Sequence, residues 1–268
     1  MRRGIVVDAA QRIPVLMYHR VGTAHNPWES RYCTPPGQFA KHMHHLAKRG
    51  MRACTLTDFF SWLGQGKRLP EGSFLLTFDD GFLGVYEHAA PVLQELGWPA
   101  TVFLVSRLLG RKNEWCQTRN PSGATYPLLA SEHIRAMRNM GFTFQSHTRS
   151  HPDLTTLSED GLHAELAGSR RDLEDMLGEE VQYLAYPYGR FNESVLSTTR
   201  AAGYAAAFCT QSGFNRRGLD PYRIRRLDVS GTDTAAMLAR KICFGSNDGS
   251  WQQTVRYYGG RIADKLGF

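Results

Sequence analysis

The run Phe74-Leu75-Leu76-Thr77-Phe78-Asp79-Asp80-Gly81-Phe82 changes character halfway. Its first residues are apolar without alternation, the pattern of a strand covered on both faces. Two adjacent carboxylates follow. Neighbouring side chains in a strand point to opposite faces, so burying both inside one would be costly. The strand therefore ends at the acids and turns at Gly81, leaving them at the mouth of a pocket. A helical spacing follows at Val85, Ala89, Val92, Leu93 and Leu96. Strand, acidic turn and helix is the unit with which parallel α/β sheets present chemistry at their carboxyl ends. Taken alone, the stretch also fits a plain turn whose aspartate caps the helix.

The same alternation extends in both directions. Pro14 to His19 reads as a buried strand ending in a histidine, and Met51 to Leu56 as a second. Ala100 to Val105, Phe142 to His147, Tyr183 to Tyr186 and Tyr204 to Cys209 follow, with a last strand in Tyr222 to Val229. Between them lie helical faces: Phe39, Met43 and Leu46; a short helix over Asp58 to Leu63; a helix capped by Ser131 with Ile134, Met137 and Met140. A long helix begun by Ser158 carries Leu162, Leu166, Leu173 and Leu177, and another spans Glu193 to Ala202. Two helices finish the chain, the second with Val255, Tyr258, Ile262 and Leu266 on one face. About eight strands alternating with helices predict a parallel sheet with right-handed crossovers, and at this length an α/β barrel of distorted (β/α)7-8 type. Residues 1–12 read as an N-terminal extension and 13–268 as one domain. Arg107 to Tyr126 is too long for a routine connection and is expected to be a lid or binding loop.

Composition narrows the function classes. Of 268 residues, 42% are hydrophobic, enough for a sizeable core. No apolar run reaches the roughly 18 residues of a membrane helix. Asp8 interrupts the apolar residues near the N-terminus, too early for a signal sequence, so a cytoplasmic protein is expected. The five cysteines (Cys33, Cys54, Cys116, Cys209, Cys243) are scattered with no CxxC, which suits reduced thiols. The net charge of +7 is spread without a basic stripe, so nucleic acid is not expected. An anionic partner, a membrane surface or plain solvation would each fit the excess. No dinucleotide or phosphate-loop motif occurs.

Two further constellations sit at strand ends. His147-Thr148-Arg149-Ser150-His151 places two histidines four apart, a spacing that lets both face one cation from a helical turn. With one aspartate they make a three-ligand set with room for water; by themselves they fit a solvated helix start equally well. In Tyr186-Pro187-Tyr188-Gly189-Arg190, Pro187 and Gly189 force a sharp turn that can aim a backbone N–H at the pocket, or simply turn the chain.

In order and spacing, Thr77-Phe78-Asp79-Asp80-Gly81, His147 to His151 and Tyr186 to Gly189 resemble the first three motifs of the polysaccharide deacetylases, the NodB-homology or carbohydrate esterase family 4 enzymes. The resemblance runs from about Pro14 to Val229. It implies a distorted (β/α) barrel and a metal-dependent hydrolase that removes acetyl groups from N-acetylated sugars. Asp80, His147 and His151 would bind a divalent cation, most often Zn2+, with Ni2+, Co2+ or Mn2+ as other occupants. Asp79 would be the general base, and the backbone N–H of Tyr188 would stabilise the oxyanion.

The chain departs from the common family pattern in three places. Ala185 stands where an arginine usually precedes the third motif, and the later Asp-Trp and Leu-x-His motifs are missing. The opening Pro14-Val-Leu-Met-Tyr-His19-Arg-Val resembles the subgroup containing the poly-N-acetylglucosamine deacetylases, where the early histidine is the candidate acid. His19 is therefore the expected acid, and Arg226 the expected substitute for the missing arginine beside Asp79. The expected substrate is an N-acetylated sugar, polymeric or a phosphate- or lipid-linked precursor. Trp115 and Tyr126 are expected to stack on its rings. A non-sugar amide hydrolase on the same fold and a silent glycan-binding protein are the competing readings.

Overall fold

The computed structural model describes residues 11–252. The predicted helix carrying Val255 to Leu266 lies outside them, as does most of the predicted extension. Eight strands form one all-parallel sheet. They are β1 (Val15–Tyr18), β4 (Arg52–Cys54), β5 (Ser73–Phe78), β6 (Ala100–Leu104), β7 (Phe142–Ser146), β8 (Tyr183–Ala185), β9 (Ala206–Phe208) and β10 (Leu227–Asp228). A two-stranded parallel ribbon, β2 (Arg20–Val21) and β3 (Cys33–Thr34), lies off the sheet. The helices are α1 (Pro36–Lys48), α2 (Leu56–Gln65), α3 (Ala90–Leu96, entered through a π-turn at Val85–Ala89), α4 (Ser131–Arg138), α5 (Glu159–Leu177), α6 (Glu193–Ala201) and α7 (Ala235–Phe244). Among the described residues no helix is long and apolar enough to cross a membrane.

The main path runs β10-β1-β5-β6-β7-β8-β9. Leu75 pairs with Val15 and Cys54, and Phe78 with Tyr18 and Val102. With β1 along one edge of β5, the other edge is shared by β4 near its start and β6 near its end, which distorts the ring. A bridge between Phe208 and Ile224 ties β9 to the chain just ahead of β10 and closes it. Curvature is evident from packing. Phe103 on β6 and Phe208 on β9 stand three strands apart in the sheet, yet their ring centroids are 5.1 Å apart.

The strand period of two sorts the residues. Leu16, Tyr18, Phe74, Leu76, Phe78, Val102, Leu104 and Phe144 face outward into the core shared with the helices. Val15, Leu75, Phe103, Ala185 and Phe208 face inward, joined by Phe59, Trp62 and Leu63 of α2. That inward row is what carries the site.

Helix boundaries follow their capping residues. Thr55, Ser158, Asn192 and Thr234 accept from the backbone N–H three residues on, while Gly66, Gly178 and Gly245 close helices in the left-handed conformation. Ser131 differs from expectation. It is the first helical residue of α4, and the Ala130 N–H donates to His133 Nδ1 at 3.0 Å instead. The predicted last strand is only two residues long, because the segment before it crosses from β9 to β1.

Candidate active site

Asp79 continues the inward row of Leu75 and Thr77, and its N–H still donates to Tyr18 O at 2.9 Å. Asp80 would face outward by alternation. Instead its φ is 70°, and Gly81 follows at 74°. These two left-handed residues reverse the chain and bring both carboxylates to one side. Gly81 is required on two counts, since a Cβ there would lie 2.7 Å from Leu104 Cδ2.

His147 follows β7 in the inward row, and its Nδ1–H donates to Ala185 O at 2.7 Å. The opposite ring nitrogen, Nε2, lies 3.4 Å from Asp80 Oδ1. His151 Nε2 lies 3.3 Å from the same oxygen. The pair is not carried on a helical turn as its spacing suggested. Thr148 (φ 68°) and His151 (φ 63°) are both left-handed, and the loop folds back on itself. Helix α5 braces that fold: Glu165 accepts from the N–H groups of Arg149 and Ser150 and from the Ser150 hydroxyl, while Arg149 makes two bonds to Asp172.

Asp80, His147 and His151 are buried, and their ligating atoms lie within 4.8 Å of one another. A tetrahedral cation holding N and O ligands at about 2.0–2.1 Å separates them by roughly 3.3 Å, close to the two carboxylate–imidazole distances here. Asp80 Oδ1 is buried with no hydrogen-bond partner among the described residues, a costly arrangement unless something else binds it. The backbone acceptor on His147 Nδ1 also orients its ring as a ligand's outer partner does. The donor set therefore fits a divalent cation.

Asp79 is held by Arg226, the largest charged side chain in the interior and 0% exposed. Nη1 donates to Oδ1 at 2.6 Å and Nη2 to Oδ2 at 2.8 Å, while Nε donates to Cys209 O at 3.0 Å. Its guanidinium also lies near the faces of Phe103 and Phe208. Burial pushes the Asp79 carboxyl toward protonation, but Arg226, His147 and His19 outweigh it and hold its pKa below the ordinary value. Burial opposes ionisation of Asp80 too, and the two histidines overcome it. For His147, burial is outweighed by Asp79 and Asp80 and the pKa rises; for His151 burial prevails and it falls.

The remaining predicted residues line the same cavity, of about 560 Å³. His19 follows β1 in the inward row, and its Nδ1 is buried without a partner. Tyr188 is left-handed (φ 58°, ψ 6°), and its backbone N–H has no partner among the described residues. Gly189 (φ 67°) follows, where a Cβ would lie 2.0 Å from Thr210 Oγ1.

Three features escaped the sequence reading. Asp228 of β10 lines the cavity, and its Oδ1 is buried without a partner. Burial raises its pKa, an effect His19 and Lys241 partly offset. Glu29, 2% exposed, accepts from Arg20, Asn120, the Tyr126 hydroxyl, Asn26 and the His25 N–H. It thereby ties the loop after β2 to the Arg107–Tyr126 segment. The Arg20 guanidinium lies 3.5 Å over one face of the Tyr126 ring, which also lines the cavity. Trp115 stacks on His151, with centroids 4.6 Å apart and planes at 18°.

Comparison with known proteins agrees with this geometry. The family model described as Polysaccharide deacetylase matches residues 66–207, just over half the chain. The Bacillus subtilis protein YxkH, named as a polysaccharide deacetylase, is 28% identical over 84% of this chain and 74% of its own length. The poly-beta-1,6-N-acetyl-D-glucosamine N-deacetylase of Staphylococcus aureus is 25% identical over 74% and 68%. Among solved structures, IcaB from Ammonifex degensii superposes with a TM-score of 0.71 at 27% identity, covering 82% of this chain and 92% of that one. The Streptococcus pyogenes deacetylase PplD, in complex with acetate, shares the fold with a TM-score of 0.73 at 23% identity, over 87% and 98%.

Proposed function

The chain belongs to the polysaccharide deacetylase family, and we propose that it hydrolyses the acetamide of an N-acetylated amino sugar within a glycan, with Asp80, His147 and His151 holding a divalent cation. One observation carries the proposal: Asp80 Oδ1 sits 3.3–3.4 Å from two imidazole nitrogens, one residue from a carboxylate that is kept ionised. The nitrogen and oxygen donors suit Zn2+ first, with Ni2+, Co2+ or Mn2+ as alternatives. Bound there, the cation would polarise the acetamide oxygen and acidify a water.

The chain's own groups supply the rest. Asp79 accepts the water's proton as the water adds to the acetamide carbon, and Arg226 keeps that carboxylate ionised and aimed. The Tyr188 N–H donates to the oxygen that becomes negative. His19 then gives a proton to the nitrogen as the C–N bond breaks, releasing acetate and a free amine. Asp228, beside His19, balances the charge of the imidazolium. This assignment gives the acid role to the two unpartnered groups on the β1–β10 side, in place of the missing late motifs.

The pairing of Asp79 with Arg226 favours an enzyme over a silent binding protein. A binding site gains nothing from a buried carboxylate held ionised next to a cation site. Acetate release from N-acetylglucosamine oligomers, together with elemental analysis of the purified protein, tests the reading. Stoichiometric metal with acetate release supports it; metal without release from any N-acetylated sugar refutes it.

A further inference from the structure

The cavity has a second aromatic wall, away from Trp115. Trp28 and Tyr32 flank the 3-10 turn Glu29–Arg31 and meet across it. Their ring centroids are 5.3 Å apart, with planes at 59°. Both line the cavity. Tyr32 is 41% exposed, and the described chain exposes only one other large apolar residue, Trp251. Neither the Tyr32 hydroxyl nor the Trp28 indole N–H has a protein partner among the described residues, so each ring offers an apolar face with a free polar tip.

This wall is held rigid from behind. Glu29, between the two aromatics, is the acceptor for five donors described above. Tyr32 N donates to Glu29 O at 2.9 Å, and Arg20 N donates to Tyr32 O at 3.0 Å. The rings therefore need little ordering when a ligand arrives. Tyr32 also meets His19 edge-on, with centroids 5.4 Å apart at 75°.

We propose that Trp28 and Tyr32 form a subsite for a second pyranose ring, the neighbour of the sugar being deacetylated. The wall matches that ligand's chemistry. A pyranose presents axial C–H groups that pack on an aromatic face and equatorial hydroxyls that reach polar tips. Tyr32 touches the ring of His19, the acid for the leaving nitrogen, so a pyranose packed on this wall would sit beside the sugar being deacetylated. The enzyme accordingly selects oligosaccharides over free or nucleotide-linked N-acetylglucosamine. This inference rests on the acetamide being cleaved beside Asp80, His147 and His151.

Two measurements separate the subsite from the reaction. In saturation-transfer NMR, β-1,4- and β-1,6-linked tetramers of N-acetylglucosamine bind the wild type, and Trp28→Ala and Tyr32→Ala weaken that binding about tenfold, or about 1.4 kcal/mol. Tyr32→Phe, which keeps the face, retains most of it. In acetate-release assays the ratio of tetramer to monomer kcat/KM falls by a similar factor in both alanine variants. Failure of both tetramers to bind the wild type overturns the subsite. So does equal loss of kcat/KM for monomer and tetramer. Tyr32-dependent tetramer binding without any acetate release keeps the subsite and refutes the reaction.

Discussion

Arg226 grips Asp79 with both terminal nitrogens across 147 positions of sequence, at 2.6 and 2.8 Å, with both side chains buried and Asp79 alone reaching the cavity. Removing one member of a buried pair strands the other charge, at about 3–5 kcal/mol. Arg226→Ala should therefore lower the melting temperature sharply, and the Asp79 carboxyl, deprived of its main opposing charge, should titrate higher. The acid limb of the kcat/KM profile should then move to higher pH. Arg226→Lys keeps the charge without the two-pronged geometry, so it should fold better and show a smaller displacement. An unmoved acid limb in a folded Arg226→Lys or Arg226→Ala protein would rule out Asp79 as the base that Arg226 maintains.

Metal removal gives the second prediction. Dialysis against a chelator should abolish acetate release, and a divalent cation should restore it. Asp80→Asn should reduce bound metal and activity together, because the oxygen nearest both imidazoles loses its charge. Elemental analysis before and after dialysis is the check, and full activity in metal-free protein would exclude the proposed site.

His19 and Asp228 should separate from the cation set. His19→Ala should slow kcat by about 10²–10⁴-fold, the usual worth of a positioned acid, while leaving metal content intact. Asp228→Asn should lower kcat by a smaller factor with little change in KM, since it acts through His19. Loss of metal in His19→Ala would make His19 a ligand.

Gly189 offers a test of the oxyanion role of Tyr188. A side chain there would both strain a left-handed residue and drive into Thr210. Gly189→Ala should displace the preceding N–H and lower kcat by about 10²–10³-fold, the cost of losing one oxyanion donor. Metal content should persist. A fully active Gly189→Ala enzyme would remove the Tyr188 N–H from the mechanism.

The barrel was legible because its strands follow one rule from end to end. The row Leu75, Thr77, Asp79 continues the same inward face as Phe103 and His147, so strand ends with polar residues marked the site. Backbone sign was less legible. Thr148 and His151 take left-handed conformations with no glycine to announce them, and a spacing of four reads equally as a helical turn. Partnerships between distant segments were hidden altogether. Glu29 reads as an ordinary loop acid, yet it meets Asn120 and Tyr126, 91 and 97 residues away. Asp228 looks like any polar strand residue until β10 is laid beside β1. Trp115 lines the cavity as a ring that could meet a sugar, and its stacking on His151 is a partnership no local pattern reveals.

Glu29 makes the last prediction, because it holds two loops with one charge. Burial alone would raise its pKa. The His25 N–H, Asn120, the Tyr126 hydroxyl and the Arg20 guanidinium together bring it below the ordinary value. A carboxyl depressed in the folded state stabilises above its unfolded pKa, about 4.3, and that stabilisation is lost as pH falls through the folded value. Glu29→Gln keeps the shape and removes the charge. The variant should melt lower than wild type at pH 7, and the gap should narrow progressively below about pH 4.3 as the wild-type carboxyl gains its own proton. The Trp28–Tyr32 wall and the Asn113–Tyr126 segment are both fastened to this group, so hydrogen exchange in the two should quicken together in Glu29→Gln. A melting gap that stays constant from pH 7 to pH 3, or exchange that quickens in one segment alone, would show that the charge does not join them.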